Sequence, residues 1–559
     1  MKKDKFIPII QCLIFVGSVM ISVAFAGEPE VRLATFMKKY QEDYKKMYCD
    51  ISYTWWDAMI TGSEEAFAKS AAASLAMSNY HANPTRYAEL KKLRSEAVNA
   101  TPLEKRAAYI AERAFEQSQI SPDLNKQIVD LSSEIEQIFQ TQRAVYEDKE
   151  YTNNELLAML EKEMDSQKRY KIWDALKQIG EIVAPKMVEL AKLRNKSAQE
   201  LGYANFWEMS VSFQEFDPKE LLDIFTKLDQ LTAPLFLKMK EKLDNELKVK
   251  FGTDRIMPWH YDNPFFQQAP PSATLNVNDF YQGLTKEDIV KISINYYAKL
   301  GFDVTSIVDN SDLFEKDGKS QHGFCNDMNL EGDVRILCNI KPDVEWMDTQ
   351  LHELGHSIYD YNLNRSLPNN IRSAAHIFIT EGVAEMFGAK ARDPQWLIEN
   401  LGADPQRVRN ATLALKEQRV REQLIFCHWT IVMTFFEKAL YENPDQDLNK
   451  LWNDMTSKYQ NLTHPEGRNK ADWASKPHFV IAPVYYHNYM LGELYSAQMR
   501  KTLEKQANGN LKKFGQLLKD KVFAPGNSLS WEDFVKQSTG EPLSVEAFVE
   551  ELNYVDQLQ

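Results

Sequence analysis

Residues 343–360 read DVEWMDTQLHELGHSIYD, and this segment decides how the fold of the chain is interpreted. Its first residue, Asp343, belongs to the residue types that cap helices. Apolar side chains then recur at intervals of three or four residues, at Val344, Met347, Leu351, Leu354 and Ile358. This period predicts an amphipathic helix whose apolar face is buried.

A second face of the same helix carries two histidines. His352 and His356 are four residues apart, so their rings lie one above the other and can converge on one metal ion. Glu353 lies slightly aside, where it can take a proton from a water molecule at that ion. The string H-E-x-x-H also arises by chance, and the two histidines could instead be hydrogen-bonded core residues.

A third element favours the metal site. Residues 378–390, FITEGVAEMFGAK, place Glu381 and Glu385 one helical turn apart on an otherwise apolar helix. Buried carboxylates without partners are costly, so these two acids need a reason. Catalytic zinc keeps three protein ligands and one open position. We therefore expect one Zn²⁺ per chain, held by His352, His356 and Glu381. Glu385 then accepts a hydrogen bond from a ligand histidine, although the reverse assignment of the two acids is also open.

Composition and periodicity describe the rest of the chain. The 559 residues are 44% hydrophobic and 26% charged, with a net charge of −14 that argues against a nucleic-acid partner. Helical spacing dominates residues 30–250 and returns from 286, while 334–340, VRILCNI, looks like a strand. No Gly-, Ser- or Pro-rich linker divides the chain. The sequence therefore predicts a mainly α fold, with one large domain over residues 27–559 that a cleft divides into two lobes.

The first 26 residues have the pattern of a signal peptide. A basic start, MKKDK, precedes an apolar run that ends in Ala24, Phe25 and Ala26, a cleavage-type ending. We expect an exported protein, periplasmic or secreted, without stable membrane insertion. An uncleaved amino-terminal anchor is the alternative.

An exported protein experiences an oxidising compartment, so its cysteines can pair. Cys325 and Cys338 flank a segment that reads as a hairpin, and we expect a disulfide between them.

Three motifs together resemble the angiotensin-converting-enzyme family of peptidyl-dipeptidases. They are H-E-x-x-H with its distant glutamate, HGFCND…GDVRILC at residues 322–338, and KPHFVIAPVYYHNY at 476–489. The resemblance extends over most of residues 27–559. It implies a large two-lobed helical metallopeptidase with a deep central cleft and a small β-sheet near the zinc. The implied reaction is release of dipeptides from the carboxyl end of short, unfolded peptides.

The resemblance also assigns roles to individual residues. Tyr489 would stabilise the oxyanion, and His478 would contact a substrate carbonyl. Lys476 and Tyr486 would hold the terminal carboxylate of the peptide. His322 matches a histidine that binds the substrate backbone at the scissile bond.

Several positions depart from that family. Thr380 replaces the histidine before the glutamate ligand, and the ligand itself lies one residue further from the second histidine. Asn488 replaces an arginine that binds chloride, which makes activation by chloride doubtful. No glutamine in residues 258–266 matches the one that helps to bind the terminal carboxylate, and Tyr261 is the nearest candidate.

Three other functions therefore stay open. A zinc oligopeptidase of related fold would cut internally, and a carboxypeptidase would release single residues. A non-catalytic peptide-binding protein could keep the fold, but it would not need the general base Glu353.

Overall fold

The computed structural model describes residues 27–272 and 275–553. The predicted signal peptide, residues 1–26, lies outside the described residues. Among the described residues, no helix combines the length and the apolar character needed to cross a bilayer.

Helices account for most of the described chain. The segment up to residue 251 comprises α1 Glu28–Thr61, α2 Glu64–His81, α3 Pro84–Glu96, α4 Pro102–Gln117, α5 Pro122–Thr141, β1 Ala144–Tyr146, β2 Lys149–Tyr151, α6 Asn153–Lys162, α7 Ser166–Glu200, α8 Phe206–Phe213 and α9 Pro218–Phe251. The segment from 286 to 388 comprises α10 Lys286–Leu300, α11 Thr305–Asp309, β3 Phe324–Asp327, β4 Val334–Leu337, α12 Val344–Tyr361 and α13 Ile377–Gly388.

The remaining elements follow the same pattern. They are α14 Pro394–Trp396, α15 Pro405–Glu442, α16 Leu448–Gln460, α17 His478–Ile481, α18 His487–Ala507, α19 Leu511–Leu518, α20 Trp531–Thr539 and α21 Glu546–Asn553. Short 3₁₀ or π segments lie at Pro258–His260, Val277–Phe280, Asn369–Ile371, Ala389–Arg392, Leu397–Leu401, Asp472–Ser475, Lys519–Phe523 and Gly526–Ser528.

The motif helix forms as its sequence predicts. The carboxylate of Asp343 accepts a hydrogen bond of 2.9 Å from the backbone N–H of Trp346, which caps α12. The five apolar residues of the predicted stripe are all buried in the main hydrophobic core. Their burial fixes the rotation of α12, so the two histidines necessarily face away from that core.

Glycines allow α12, α13 and α18 to approach each other closely. A β-carbon on Gly355 of α12 would lie 2.9 Å from Cα of Ala384 in α13. A β-carbon on Gly382 of α13 would lie 2.7 Å from the carbonyl oxygen of Gly492 in α18. Any larger side chain at these positions would push the helices apart. The three helices that carry the candidate site are therefore held at fixed, short separations.

A small antiparallel hairpin lies against the motif helix, as predicted. Strand β3 pairs with β4 so that Cys325 lies opposite Ile336, and β3 packs on α12. This register leaves Cys338 diagonal to Cys325, where Cα atoms are typically about 7–8 Å apart, beyond the usual reach of a disulfide. Both cysteines are free, and the Sγ atom of Cys325 instead lies 3.3 Å from Oγ of Ser357. The predicted disulfide is wrong.

The mainly helical fold with a small sheet beside the motif helix is confirmed. The main core runs from Ile135 to Leu552, while a separate cluster joins α1, α3 and α4. The division into two lobes and the single domain over residues 27–559 stay predictions.

Candidate metal centre and active site

Three predicted ligands converge at one point. The Nε2 atoms of His352 and His356 lie 3.2 Å apart. Oε2 of Glu381 lies 3.7 Å from the first of these nitrogens and 3.8 Å from the second. Ligand atoms bonded to tetrahedral zinc at about 2.0–2.1 Å lie roughly 3.3 Å from one another. The three side chains therefore fit a zinc ion with little movement.

A polar side chain of α13 lies beside the other ring nitrogen of each histidine. Nδ1 of His356 lies 2.7 Å from the hydroxyl oxygen of Thr380, and Nδ1 of His352 lies 3.7 Å from Oε1 of Glu385. The contact with Thr380 fixes the ring of His356 with its Nε2 atom toward the common point. The oxygen of Glu385 lies beside His352 but beyond hydrogen-bonding distance, so its role as the orienting acid stays a prediction. The role of Thr380 was missed, although its position directly before Glu381 could have indicated it.

Burial and neighbouring charges shift the pKa values of the ionisable side chains in the site. Burial alone would lower the pKa of His352, but the carboxylates of Glu385, Glu353 and Glu381 together raise it. Burial and the neighbouring His352 hold the pKa of His356 well below its usual value. Burial also raises the pKa of Glu381. A divalent cation would compensate these crowded carboxylates, and two neutral histidines with one carboxylate form a donor set that suits zinc.

Glu353 is buried beside the three ligands and lines an open cavity of about 630 Å³ together with them. Burial, partly offset by His352, raises its pKa to about 7. The backbone of Gly323, just before β3, comes so close that a β-carbon there would lie 3.5 Å from Oε1 of Glu353. An acid with this pKa, at the wall of a cavity, is suited to accept and return a proton.

Two tyrosines at the start of α18 reach the same place. Tyr489 lines the cavity, and its ring centre lies 5.2 Å from that of Tyr485. The hydroxyl of Tyr485 forms a hydrogen bond with Glu381, a contact that sequence reasoning missed. Tyr489 is thus placed to donate to an oxygen in the cavity, while Tyr485 orients a metal ligand.

A second group of polar residues lies beyond Tyr489. Lys476 is only 5% exposed and donates a hydrogen bond of 2.6 Å to Oε1 of Gln267. Its Nζ atom lies 5.3 Å from the ring centre of Tyr486, which in turn lies 5.3 Å from that of Tyr489. Burial lowers the pKa of Lys476 to about 7. No carboxylate among the described residues forms an ion pair with Lys476. We call Lys476, Gln267 and Tyr486 the lysine pocket.

The residues around the lysine pocket also have defined contacts. The indole N–H of Trp429 donates to the hydroxyl oxygen of Tyr486 at 2.8 Å, which leaves the Tyr486 proton free for a ligand. The ring of His478 packs 5.1 Å from that of Tyr486, and its Nδ1 atom has no hydrogen-bond partner among the described residues. The buried guanidinium of Arg194 holds the segment after His478 by donating to two of its backbone carbonyls.

A strained turn at Val484 directly precedes Tyr485 and Tyr486 and sets their direction. Val484 has a φ of 53°, a left-handed conformation that is unfavourable for a β-branched residue. Its N–H donates to Oε1 of the buried Glu437 at 2.8 Å, and its carbonyl accepts from Nε2 of Gln214 at 2.9 Å. Strain of this kind persists only where surrounding contacts impose it, and it accumulates at functional sites.

Three other residues named in the sequence analysis, His322, Tyr261 and Asn488, lie outside the group formed by the ligands, Glu353 and Tyr489. His322 is exposed and lies outside the lining of the cavity. The hydroxyl of Tyr261 donates to Asp244 at 2.8 Å, far from the role of the missing glutamine. Gln267, which directly follows residues 258–266, instead contacts Lys476. Asn488 is buried and donates to Gln214 at 2.7 Å.

Comparisons with known proteins agree with a peptidase. The sequence profile described as "Peptidase family M3" matches residues 158–554, a range that contains the metal site and the lysine pocket. The chain is also similar to "Carboxypeptidase 1" of Bacillus subtilis (strain 168). The identity is 24% over 385 residues, covering 63% of this chain and 70% of that protein.

Proposed function

The chain belongs to peptidase family M3, whose members are zinc-dependent, and we propose that it removes dipeptides from the carboxyl end of short, unfolded peptides. The resemblance to the angiotensin-converting-enzyme family is therefore wrong at the level of the family, because M3 is a different one. The coarser prediction of a zinc metallopeptidase is confirmed.

The observation that carries the proposal is the buried Lys476. An ammonium group removed from water without a carboxylate partner is destabilising unless a ligand compensates it. The terminal carboxylate of a peptide would do so, through a charge-assisted hydrogen bond that a carboxamide cannot replace. The hydroxyl of Tyr486 offers a second donor. The name of the Bacillus relative, a carboxypeptidase, supports action at the carboxyl end.

The position of the lysine pocket favours release of two residues. The ring of Tyr486 separates Lys476 from Tyr489, so the gripped carboxylate lies a full side chain away from the cavity. One extended residue spans only about 3.5 Å, whereas two span roughly 7 Å. This separation supports a released unit of two residues rather than one.

In the proposed hydrolysis, the residues of the site have separate roles. Zinc, when bound by His352, His356 and Glu381, supplies a Lewis acid that polarises the scissile carbonyl and activates water. Glu353 takes the proton of the attacking water and returns it to the leaving amine. Tyr489 donates a hydrogen bond to the carbonyl oxygen as it gains negative charge. His478 offers an imidazole nitrogen to the substrate backbone.

The deciding experiment compares two octapeptides of the same sequence, one with a free carboxyl end and one amidated. Mass spectrometry of the products should show stepwise loss of two-residue units from the free acid and little cleavage of the amide. Loss of single residues would indicate a carboxypeptidase. Internal cuts that ignore amidation would indicate an oligopeptidase, and either result would overturn the proposal. The Glu353→Gln variant, purified in the same way, controls for contaminating peptidases.

We also infer that the protein is exported, with residues 1–26 removed. The basic start and the Ala24–Ala26 ending support this, and sequencing the amino terminus of the mature protein tests it. A mature chain that still begins at Met1 would contradict it and favour the anchored alternative.

A further inference from the structure

One acidic residue of the active-site cavity has no role in the mechanism. Asp360 is half-buried in α12 and lines the same cavity as Glu353 and the two histidines. It lies four residues after His356, so its side chain occupies the same face of the helix, about 6 Å further along the axis. A peptide bound at the metal site would therefore pass close to it.

The carboxylate of Asp360 lacks a partner. Within residues 27–272 and 275–553, no hydrogen bond or ion pair involves its side-chain oxygens. The guanidinium of Arg365, five residues further along the chain, donates instead to the carboxylate of Asp327 at 3.2 Å and to the backbone carbonyl of Asp360 at 2.8 Å. Asp327 is further satisfied by the N–H of Leu330 at 2.9 Å. The guanidinium of Arg365 therefore bonds to other acceptors and forms no ion pair with the side chain of Asp360.

Two other titratable side chains that line the cavity, His376 and Cys325, are uncharged. Burial lowers the pKa of His376 to about 3, and burial keeps the thiol of Cys325 protonated by raising its pKa. Burial, together with Asp327, raises the pKa of Asp360 itself to about 7. The ionised form of this carboxylate is therefore energetically unfavourable unless a positively charged ligand binds beside it.

Apolar side chains line the same cavity as Asp360. The ring of Phe324 lines the cavity and is fixed against Trp55 of α1, with ring centres 4.3 Å apart. Ile377, at the start of α13, also lines the cavity and remains 39% exposed. A cavity that combines apolar side chains with an unpaired carboxylate suits a side chain with an aliphatic stem and a cationic head.

We propose that Asp360, with Phe324 and Ile377, forms a specificity pocket for a lysine or arginine side chain of the substrate. The preference for a basic residue follows from the pocket alone. Its placement on the amino side of the scissile bond rests on the proposed function, in which Lys476 takes the carboxyl end. The lysine pocket is reached from the metal ligands past Tyr489, whereas Asp360 is reached along α12 past His356.

The test uses the zinc-loaded, full-length enzyme and three sets of amino-terminally acetylated octapeptides. The sets carry lysine, norleucine or glutamate at each of the three residues before the cleaved bond. Acetylation removes the terminal ammonium as a second source of positive charge. At pH 8, kcat/KM at one of these positions should be about tenfold higher for lysine than for norleucine.

Two variants at Asp360 separate recognition from structure. Asp360→Asn keeps the shape and should abolish the preference for lysine, while its kcat/KM for norleucine peptides stays within about twofold of wild type. Asp360→Lys should favour glutamate instead. Asp57→Asn, which removes an exposed acid of α1, is the matched control for net charge and should leave the preference intact.

Three results would overturn the proposed specificity pocket. A preference for lysine that survives in Asp360→Asn would overturn the proposal, as would an equal loss for all three peptide sets. A preference that appears only with unacetylated peptides would assign the cation to the amino terminus and also overturn it. The product masses report separately on the length of the released unit, so failure of the proposed function is read from masses and failure of this inference from rate ratios.

Discussion

The hydroxyl oxygen of Thr380 lies 2.7 Å from Nδ1 of His356, so a residue directly before one metal ligand orients another. Thr380→Val keeps the shape but removes this contact. We expect the zinc affinity to fall about 10–100-fold, measured by competition with a chelating dye. Thr380→Ser, which keeps the hydroxyl, should bind zinc nearly as wild type does. Equal affinity of the valine variant and the wild type would show that the contact does not tune the metal.

Glu381 and Glu385 should differ in their effect on zinc. Oε2 of Glu381 lies 3.7 Å and 3.8 Å from the two Nε2 atoms, whereas Glu385 contacts only Nδ1 of His352. Glu381→Ala removes a ligand and should lower zinc affinity more than Glu385→Ala, which removes an orienting partner. Dye competition on both variants checks the order. The opposite order would exchange the two assignments.

Glu353→Gln should separate metal binding from catalysis. The amide keeps the shape of the side chain and leaves all three ligands in place, but it cannot accept and return a proton. We expect about one zinc per chain, measured by elemental analysis, with kcat reduced about 10²–10⁴-fold. Substantial turnover by a zinc-loaded variant would require another general base.

The sequence predicted those parts of the structure that a single helix determines. The apolar stripe of α12 and the convergence of His352 with His356 follow from the helical period of 3.6 residues, and the cap follows from the residue type of Asp343. Glu381 could also be anticipated as the third ligand, because a buried carboxylate is destabilising unless it has a partner. These parts of the site are local, or depend on one recognisable segment.

Contacts between distant segments could not be predicted in the same way. Gln267 is 209 residues from Lys476, and only the packing of a long loop brings them together. The turn at Val484 depends on Glu437 and Gln214, and nothing in its own sequence indicates a left-handed conformation. The disulfide failed for a similar reason, because the hairpin register differs by two residues from the one that would place Cys325 opposite Cys338.

Tyr489→Phe should reduce the rate of the chemical step rather than substrate binding. The hydroxyl acts on an oxygen whose charge develops only in the transition state. We expect kcat to fall about 10²–10³-fold with little change in KM, measured on a free-acid peptide. Tyr485→Phe is the contrasting variant, because its hydroxyl contacts Glu381 and its loss should weaken zinc binding instead. An effect of Tyr489→Phe confined to KM would make Tyr489 a binding residue.

The pH dependence of the enzyme should reveal Lys476. Burial lowers the pKa of this lysine to about 7, so the ammonium form is present below that pH and is lost as the pH rises. A terminal carboxylate needs the charged form. The ratio of kcat/KM for free-acid and amidated peptides should therefore fall as the pH rises above 7, by up to about tenfold per unit. Taking the ratio cancels the titration of Glu353, which affects both substrates alike.

Two variants make this pH prediction specific. Lys476→Arg stays charged throughout, so its ratio should remain constant between pH 6 and 9 (about the range in which the wild-type ratio changes). Lys476→Met removes the charge, and its ratio should be low and constant. A wild-type ratio that does not change with pH, or a methionine variant that still prefers free acids, would remove Lys476 from recognition of the carboxyl end. The grip on that end would then have to come from Tyr486 and Gln267 alone, which carry no charge to discriminate a carboxylate from an amide.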